Sequence, residues 1–178
     1  MIGKAALSCD ESAVRKLFYE TFAHSEGADE GRIISDLASE LARQVSQSHT
    51  SFYGLSNTND ALIAGAFTSS LTNDRGINAK LMAPVAVHPD AQGHGLSRQL
   101  IEQIIDTESK NADVLITYGD PSFYGRFGFR TISTAVVKPP YEVQYAEGWL
   151  AVHYTNKSES ELAGQYNCVE AFRDERLW

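Results

Sequence analysis

The chain has 178 residues, 43% hydrophobic and 21% charged, the balance of an ordinary globular protein built around one core. A formal net charge of −8 works against non-specific binding to nucleic acid or to an anionic membrane, and it suits a cationic amine as ligand. No apolar run reaches membrane-spanning length and the N-terminus lacks the basic and apolar segments of a secretory leader, so the expected location is cytoplasmic.

Ser8-Cys9-Asp10-Glu11 fits a capping box, and a helix to about Phe22 follows with Val14, Leu17, Phe18 and Phe22 on one face. His24-Ser25-Glu26-Gly27-Ala28 breaks that pattern as a polar loop. Asp29 then caps a second helix carrying Ile33, Ile34, Leu37, Leu41 and Val45. Two β-rich runs, 50–55 and 61–70, flank Ser56-Asn57-Thr58-Asn59-Asp60 as a hairpin.

A strand from Leu81 to Val87 contains Pro84, which has no N–H for a ladder and so implies a bulge or a broken pairing. The turn from His88 to His94 leads into a helix opening at Gly95-Leu96-Ser97, with Leu96, Leu100, Ile101, Ile104 and Ile105 on its buried face. A strand feeding a helix through a glycine-rich turn aims backbone N–H groups and the positive end of the helix dipole at one point, which is an anion site. Neither familiar nucleotide motif fits it. The dinucleotide fingerprint would need glycine or alanine where Arg98 stands, and the P-loop Gly-Lys-Ser/Thr is absent.

Val114 to Tyr118 reads as a short apolar strand parallel to 81–87, Ser122 to Phe127 as about two helical turns, Arg130 to Val137 as a further strand, and Trp149 to Tyr154 as the last one. Beyond Asn156 the chain is polar and poorly periodic, with Leu162-Ala163-Gly164 and Ala171-Phe172 as packing points of a C-terminal extension. Cys9 and Cys168 are too few for a disulfide framework, and the five histidines lack His-x-x-x-His spacing, so no metal is expected.

Gln92-Gly93-His94-Gly95-Leu96-Ser97 resembles the acetyl-CoA motif Q/R-x-x-G-x-G/A of the GNAT acetyltransferases, with Ser97 at the last small position. Pro84-Val85-Ala86-Val87-His88-Pro89 resembles the central strand of that family, and the stretch from Gly119 to Phe129 its next strand end and short helix. Glu30-Gly31-Arg32-Ile33-Ile34 is similar to a block of the YhbS-like branch. The resemblance implies an α/β (α+β) GNAT fold. Its central twisted mixed sheet would have about six to seven strands, flanked by helices on both faces and splayed between the two central parallel strands. One domain would span 1–178, with acceptor-side helices at about 9–47, an acetyl-CoA core at about 77–130, and C-terminal strands and extension at about 131–178.

It also implies an acetyl-CoA-dependent N-acetyltransferase that passes the acetyl group directly to a primary amine of a small molecule. Protein or peptide acetylation, and a CoA-binding regulatory module without catalysis, are the alternatives. Acetyl-CoA would be co-substrate, with no nucleic-acid or membrane partner, and the assembly a monomer or homodimer. Backbone groups of Val85, Ala86 and Val87 would receive the pantetheine arm and polarise the acetyl carbonyl, and Gln92, Gly93, His94, Gly95, Leu96, Ser97 and Arg98 would surround the pyrophosphate. Tyr124, on the short helix, takes the place of the family's tyrosine general acid; a phenol near pKa 10 is protonated at neutral pH and can donate to the departing thiolate. Its alternative is a core aromatic beside Phe123, Phe127 and Phe129. Glu26, Glu30 and Asp120 are candidates for meeting the amine or serving as its base, and the same acidic residues also suit a helix first turn. His88 has a fitting pKa and lies at the strand end, where a structural role is the preferred reading.

Overall fold

The structure, a computed structural model, describes residues 10–47 and 49–178. Helix α1 (Glu11–Glu26) begins where the Asp10 carboxylate accepts from the N–H groups of Ser12 and Ala13, so Asp10 supplies the cap in place of the expected Ser8 box. Ser8 and Cys9 lie outside the described residues. The helix does not stop at Phe22, because Ala23 to Glu26 contain no helix breaker and Gly27 is the first residue that does break it.

Gly27, at φ +100°, is the single residue between α1 and α2 (Ala28–Gln44), so the expected polar loop is absent. Asp29 is not a cap either; it sits in the first turn of α2 and pairs with Arg32. The two helices are laid together tightly enough that a Cβ on Gly31 would stand 2.8 Å from Ala23 Cβ. Arg15–Asp36 and Arg43–Glu11 bridge them at the surface, where such pairs add little.

Strands β1 (Thr50–Ser56) and β2 (Leu62–Leu71) form the expected hairpin; Asn57 Oδ1 accepts from the N–H groups of Asn59 and Ala61 and so shapes its tip. Phe67 meets Phe52 at 4.8 Å and Phe18 of α1 at 5.8 Å between ring centres, and Val14, Leu17 and Leu41 are buried in the same unit. Each such side chain contributes about 1.5–3 kcal/mol by leaving water.

Strand β3 (Ala79–Val87) leads through the turn to α3 (Leu96–Glu108) and on to β4 (Val114–Tyr118). As expected, β3 and β4 are parallel. Their register pairs Ala79, Lys80 and Leu81 with Val114, Leu115 and Ile116, while each strand runs on past the last pair. After α4 (Pro121–Tyr124), β5 is only Arg130–Thr131, not the full run to Val137. The Ser133 carbonyl accepts from both Val136 and Val137 N–H and closes a turn there, which ends the strand. Val137–Lys138 forms β6, Trp149–His153 is β7, and Gly164–Gln165 is β8.

The six-stranded mixed sheet has the order β1-β2-β3-β4-β7-β5, and β6 pairs with β8 in a separate small sheet. The chain forms two compact units, one of Met1–Thr68 with Ala83–Ile104 and the other of Ser69–Met82 with Ile105–Trp178. In the second unit Trp149 and Trp178 meet edge to face at 6.1 Å, and their indole N–H groups donate to the carbonyls of Val137 and Phe172. Leu162, Ala171 and Phe172 are buried, so the C-terminal extension packs where its apolar residues were expected to anchor it. No helix among the described residues is long and apolar enough to cross a membrane.

Candidate active site

The turn between β3 and α3 is held from inside by its own polar groups. His88 Nδ1 accepts from Asp90 N–H at 3.2 Å, and the N–H groups of Ala91 and Gln92 donate to the carbonyls of His88 and Pro89. The side-chain amide of Gln92 donates to Val87 O at 3.1 Å, which ties the turn to the strand end and gives Gln92 a structural bond here. Gly93 and Gly95 take φ of +78° and +76°, the left-handed region that only glycine enters without strain. A Cβ on either would meet nothing within 4 Å, so the space in front of the turn is open.

The first backbone bond of α3 runs from Gln99 N–H to Gly95 O, which places the amides of Gly95, Leu96, Ser97 and Arg98 ahead of the intrahelical ladder. Arg98 pairs with Glu102 at 3.1 Å and His94 Nδ1 lies 3.4 Å from Ala91 O. At the strand, His88 N–H donates to Ile63 O of β2. By the alternation of strand amides, Ala86 shares that side, and Val85 and Val87 direct theirs away from β2.

Tyr124 lies in the other unit. Its ring meets Phe123 and Phe129 edge to face at 5.0 and 5.6 Å, and a Cβ on Gly119 would stand only 2.6 Å from its Cε2. Burial pushes its phenol above the usual tyrosine value, and the neighbouring Thr117 side chain acts the other way. The ring is packed among aromatics, as the core reading of this residue expected.

The acidic candidates divide. Glu26 and Glu30 come together across the Gly27 joint, and the carboxyl of Glu26 is raised above its ordinary value by burial and then by the charge of Glu30. Asp120 instead caps α4, accepting from Ser122 N–H and Oγ, and these bonds hold its carboxyl low. His88 Nε2 lies 3.3 Å from Glu20 of α1, an arrangement in keeping with the structural role preferred for it. The pair borders a cavity of about 950 Å³ in the first unit, apolar at Leu17, Phe52 and Leu62. Among the described residues no cluster of histidine, cysteine and carboxylate side chains could hold a metal ion.

A parallel ladder of three residue pairs, followed by a glycine turn at a helix start, is the arrangement that the resemblance to the GNAT acetyltransferases implied. Residues 48–131 match the family model of the acetyltransferase (GNAT) domain. The chain's likeness to the uncharacterised N-acetyltransferase YhbS of Escherichia coli (strain K12) is 43% identity over 49 residues, 27% of this chain and 29% of that protein. The fold is similar to that of the GNAT family N-acetyltransferase YhbS from Escherichia coli in complex with CoA. The TM-score is 0.80 at 20% identity, over 96% of this chain and 91% of the other. A GNAT family acetyltransferase from Brucella melitensis in complex with acetyl-CoA is also similar, with a TM-score of 0.68 at 15% identity over 95% and 96% of the two chains.

Proposed function

We propose that the protein is an acetyl-CoA-dependent N-acetyltransferase that moves the acetyl group directly from the thioester to a primary amine of a small molecule in a ternary complex. The observation that carries this reading is the β3–α3 turn, where two left-handed glycines open onto empty space beside the leading amides of α3. The amides of residues 93–98 bind the pyrophosphate, and those of Val85 and Val87 the pantetheine amides. The alternation along β3 supports the second assignment.

Tyr124 is the general acid in this reading. A phenol raised by burial stays protonated at neutral pH and has a proton to give the CoA thiolate. Glu26 and Glu30 attract the cationic amine, and the raised carboxyl of Glu26 suits a proton acceptor, directly or through water. Asp120, engaged as a cap, is the weaker candidate.

Calorimetry with acetyl-CoA, joined to a thiol-release assay over polyamines, amino acids, aminoglycosides and peptides, tests the proposal. Cofactor binding with turnover on a small amine is the expected result. Turnover on peptides alone would move the acceptor class, binding without turnover would leave a regulatory module, and no affinity for the cofactor would end the reading.

A further inference from the structure

We propose that the cavity between α1, the β1–β2 hairpin and the β3–α3 turn is a second ligand site, and that it takes an organic monocation with an apolar body. Its volume of about 950 Å³ is that of a small-molecule site, and every residue lining it belongs to the first unit. The site is separate from those proposed for acetyl transfer. Glu26 and Glu30 do not line it, and neither do Gly93 and Gly95, whose open side receives the pyrophosphate in that reading.

Helix α1 builds one wall by its spacing. Asp10, Ala13, Leu17 and Glu20 follow one another at three or four residues and so share a face, apolar in the middle and acidic at both ends, with those ends about 15 Å apart. The hairpin supplies another wall: Phe52 is buried beneath it, Leu62 is half-buried, and Asp60 stands near the tip at φ +61°.

The charges select the ligand. The carboxylates of Asp10, Glu20, Asp60 and Asp90 line the cavity against a single lysine, Lys16, so an anion is repelled and a cation held. Three of these carboxylates are already engaged. Asp10 accepts from the N–H groups of Ser12 and Ala13, Glu20 Oε2 lies 3.3 Å from His88 Nε2, and Asp90 Oδ2 lies 4.0 Å from His88 Nδ1. The other histidine of the lining, His94, is turned to its own backbone, with Nδ1 3.4 Å from Ala91 O. Asp60 has no cationic partner among the described residues, which leaves its carboxylate for an ammonium group. Leu62, two residues on, and Leu17 across from it give the rest of the ligand an apolar surface.

The probe is benzyltrimethylammonium, which has a permanent charge and an aromatic ring but no N–H to acetylate. Calorimetry on the protein without cofactor should show one-to-one binding. It should be about tenfold tighter than for benzyl alcohol, which has the ring alone, or tetramethylammonium, which has the charge alone. Asp60→Asn, whose new side chain is tolerated at positive φ, should weaken the probe by about threefold, and Lys16→Gln should tighten it by about as much. Glu26→Gln and saturating CoA should each leave it unchanged. No binding of the probe, equal affinity for the alcohol, or full affinity in Asp60→Asn would overturn the proposal. Displacement by CoA would place the probe in the cofactor groove, a loss in Glu26→Gln would place it with the acceptor amine, and either would overturn it too. Because the first titration needs neither cofactor nor turnover, the cavity is decided even if the acetyltransferase reading falls.

Discussion

The ring of Tyr124 fills the space that a side chain at Gly119 would need, since a Cβ built there comes within 2.6 Å of Tyr124 Cε2. Gly119→Ala must therefore displace a ring that also packs on Phe129 at 5.6 Å. Overpacking of this kind costs about 1–3 kcal/mol. Steady-state kinetics should show kcat falling by about tenfold or more, with KM for acetyl-CoA nearly unchanged. A variant with parental kcat would mean that the position of Tyr124 does not matter to the reaction.

Gly95 is constrained by its backbone alone. At φ +76° with open space around it, alanine brings no clash but carries the left-handed penalty of about 1–2 kcal/mol. If the turn must keep this conformation to hold the pyrophosphate, Gly95→Ala should weaken CoA binding by about tenfold in calorimetry. Gly95→Asn, better tolerated in that region, should lose less. Equal affinity in all three proteins would argue against the turn as the anion site.

At Gly31 two effects oppose each other. Glycine to alanine inside a helix ordinarily stabilises by about 1 kcal/mol. Here the new methyl would stand 2.8 Å from Ala23 Cβ and 2.9 Å from Ala23 N, and the second of these is backbone that cannot swing aside. Overpacking wins, and Gly31→Ala should lower the urea midpoint. Adding Ala23→Gly should recover only part of the loss, because the clash with the nitrogen remains. A raised midpoint in the single variant would show that the helices move apart at little cost.

Asp113 gives the stability a pH dependence. Its carboxylate accepts from Lys157 Nζ at 2.6 Å and from Asn78 N–H at 3.1 Å, and the Lys157 bond holds its pKa below the ordinary 3.8. A carboxyl lowered on folding contributes stability above its unfolded pKa, and the contribution is lost as pH falls through the folded value. Asp113→Asn should thus destabilise the protein at neutral pH, and urea melts should show the gap to the parent closing below about pH 3.8. A gap independent of pH would remove the charge from the explanation.

The parts legible in the sequence were those set by local rules. Apolar spacing at Leu100, Ile101 and Ile104 located the buried face of α3, and Val114 to Tyr118 was read to the residue as β4. The joint between α1 and α2 was misread because His24-Ser25-Glu26 is as polar as a loop, while only Gly27 carries the conformation that breaks a helix. Thr131, Ile132, Thr134, Val136 and Val137 suggest one long strand. What stops it is a turn at Ser133, whose N–H is taken by the Glu159 carboxylate at 2.8 Å from 26 residues away. Nothing within that window announces Glu159. In the candidate site, Gly93 and Gly95 declared themselves in the sequence and take the left-handed conformation, whereas the bond from Thr117 Oγ1 to Met82 O joins residues 35 apart that no local pattern links.

The one-residue joint at Gly27 limits how the protein can diversify. A long connection can gain or lose residues without disturbing its neighbours; this one cannot. An extra residue in α2 ahead of Gly31 would turn that glycine roughly 100° around the helix and away from Ala23. If Glu26 and Glu30 meet the amine as proposed, relatives that share this joint are expected to change acceptor preference by exchanging side chains around them, with the spacing across Gly27 preserved.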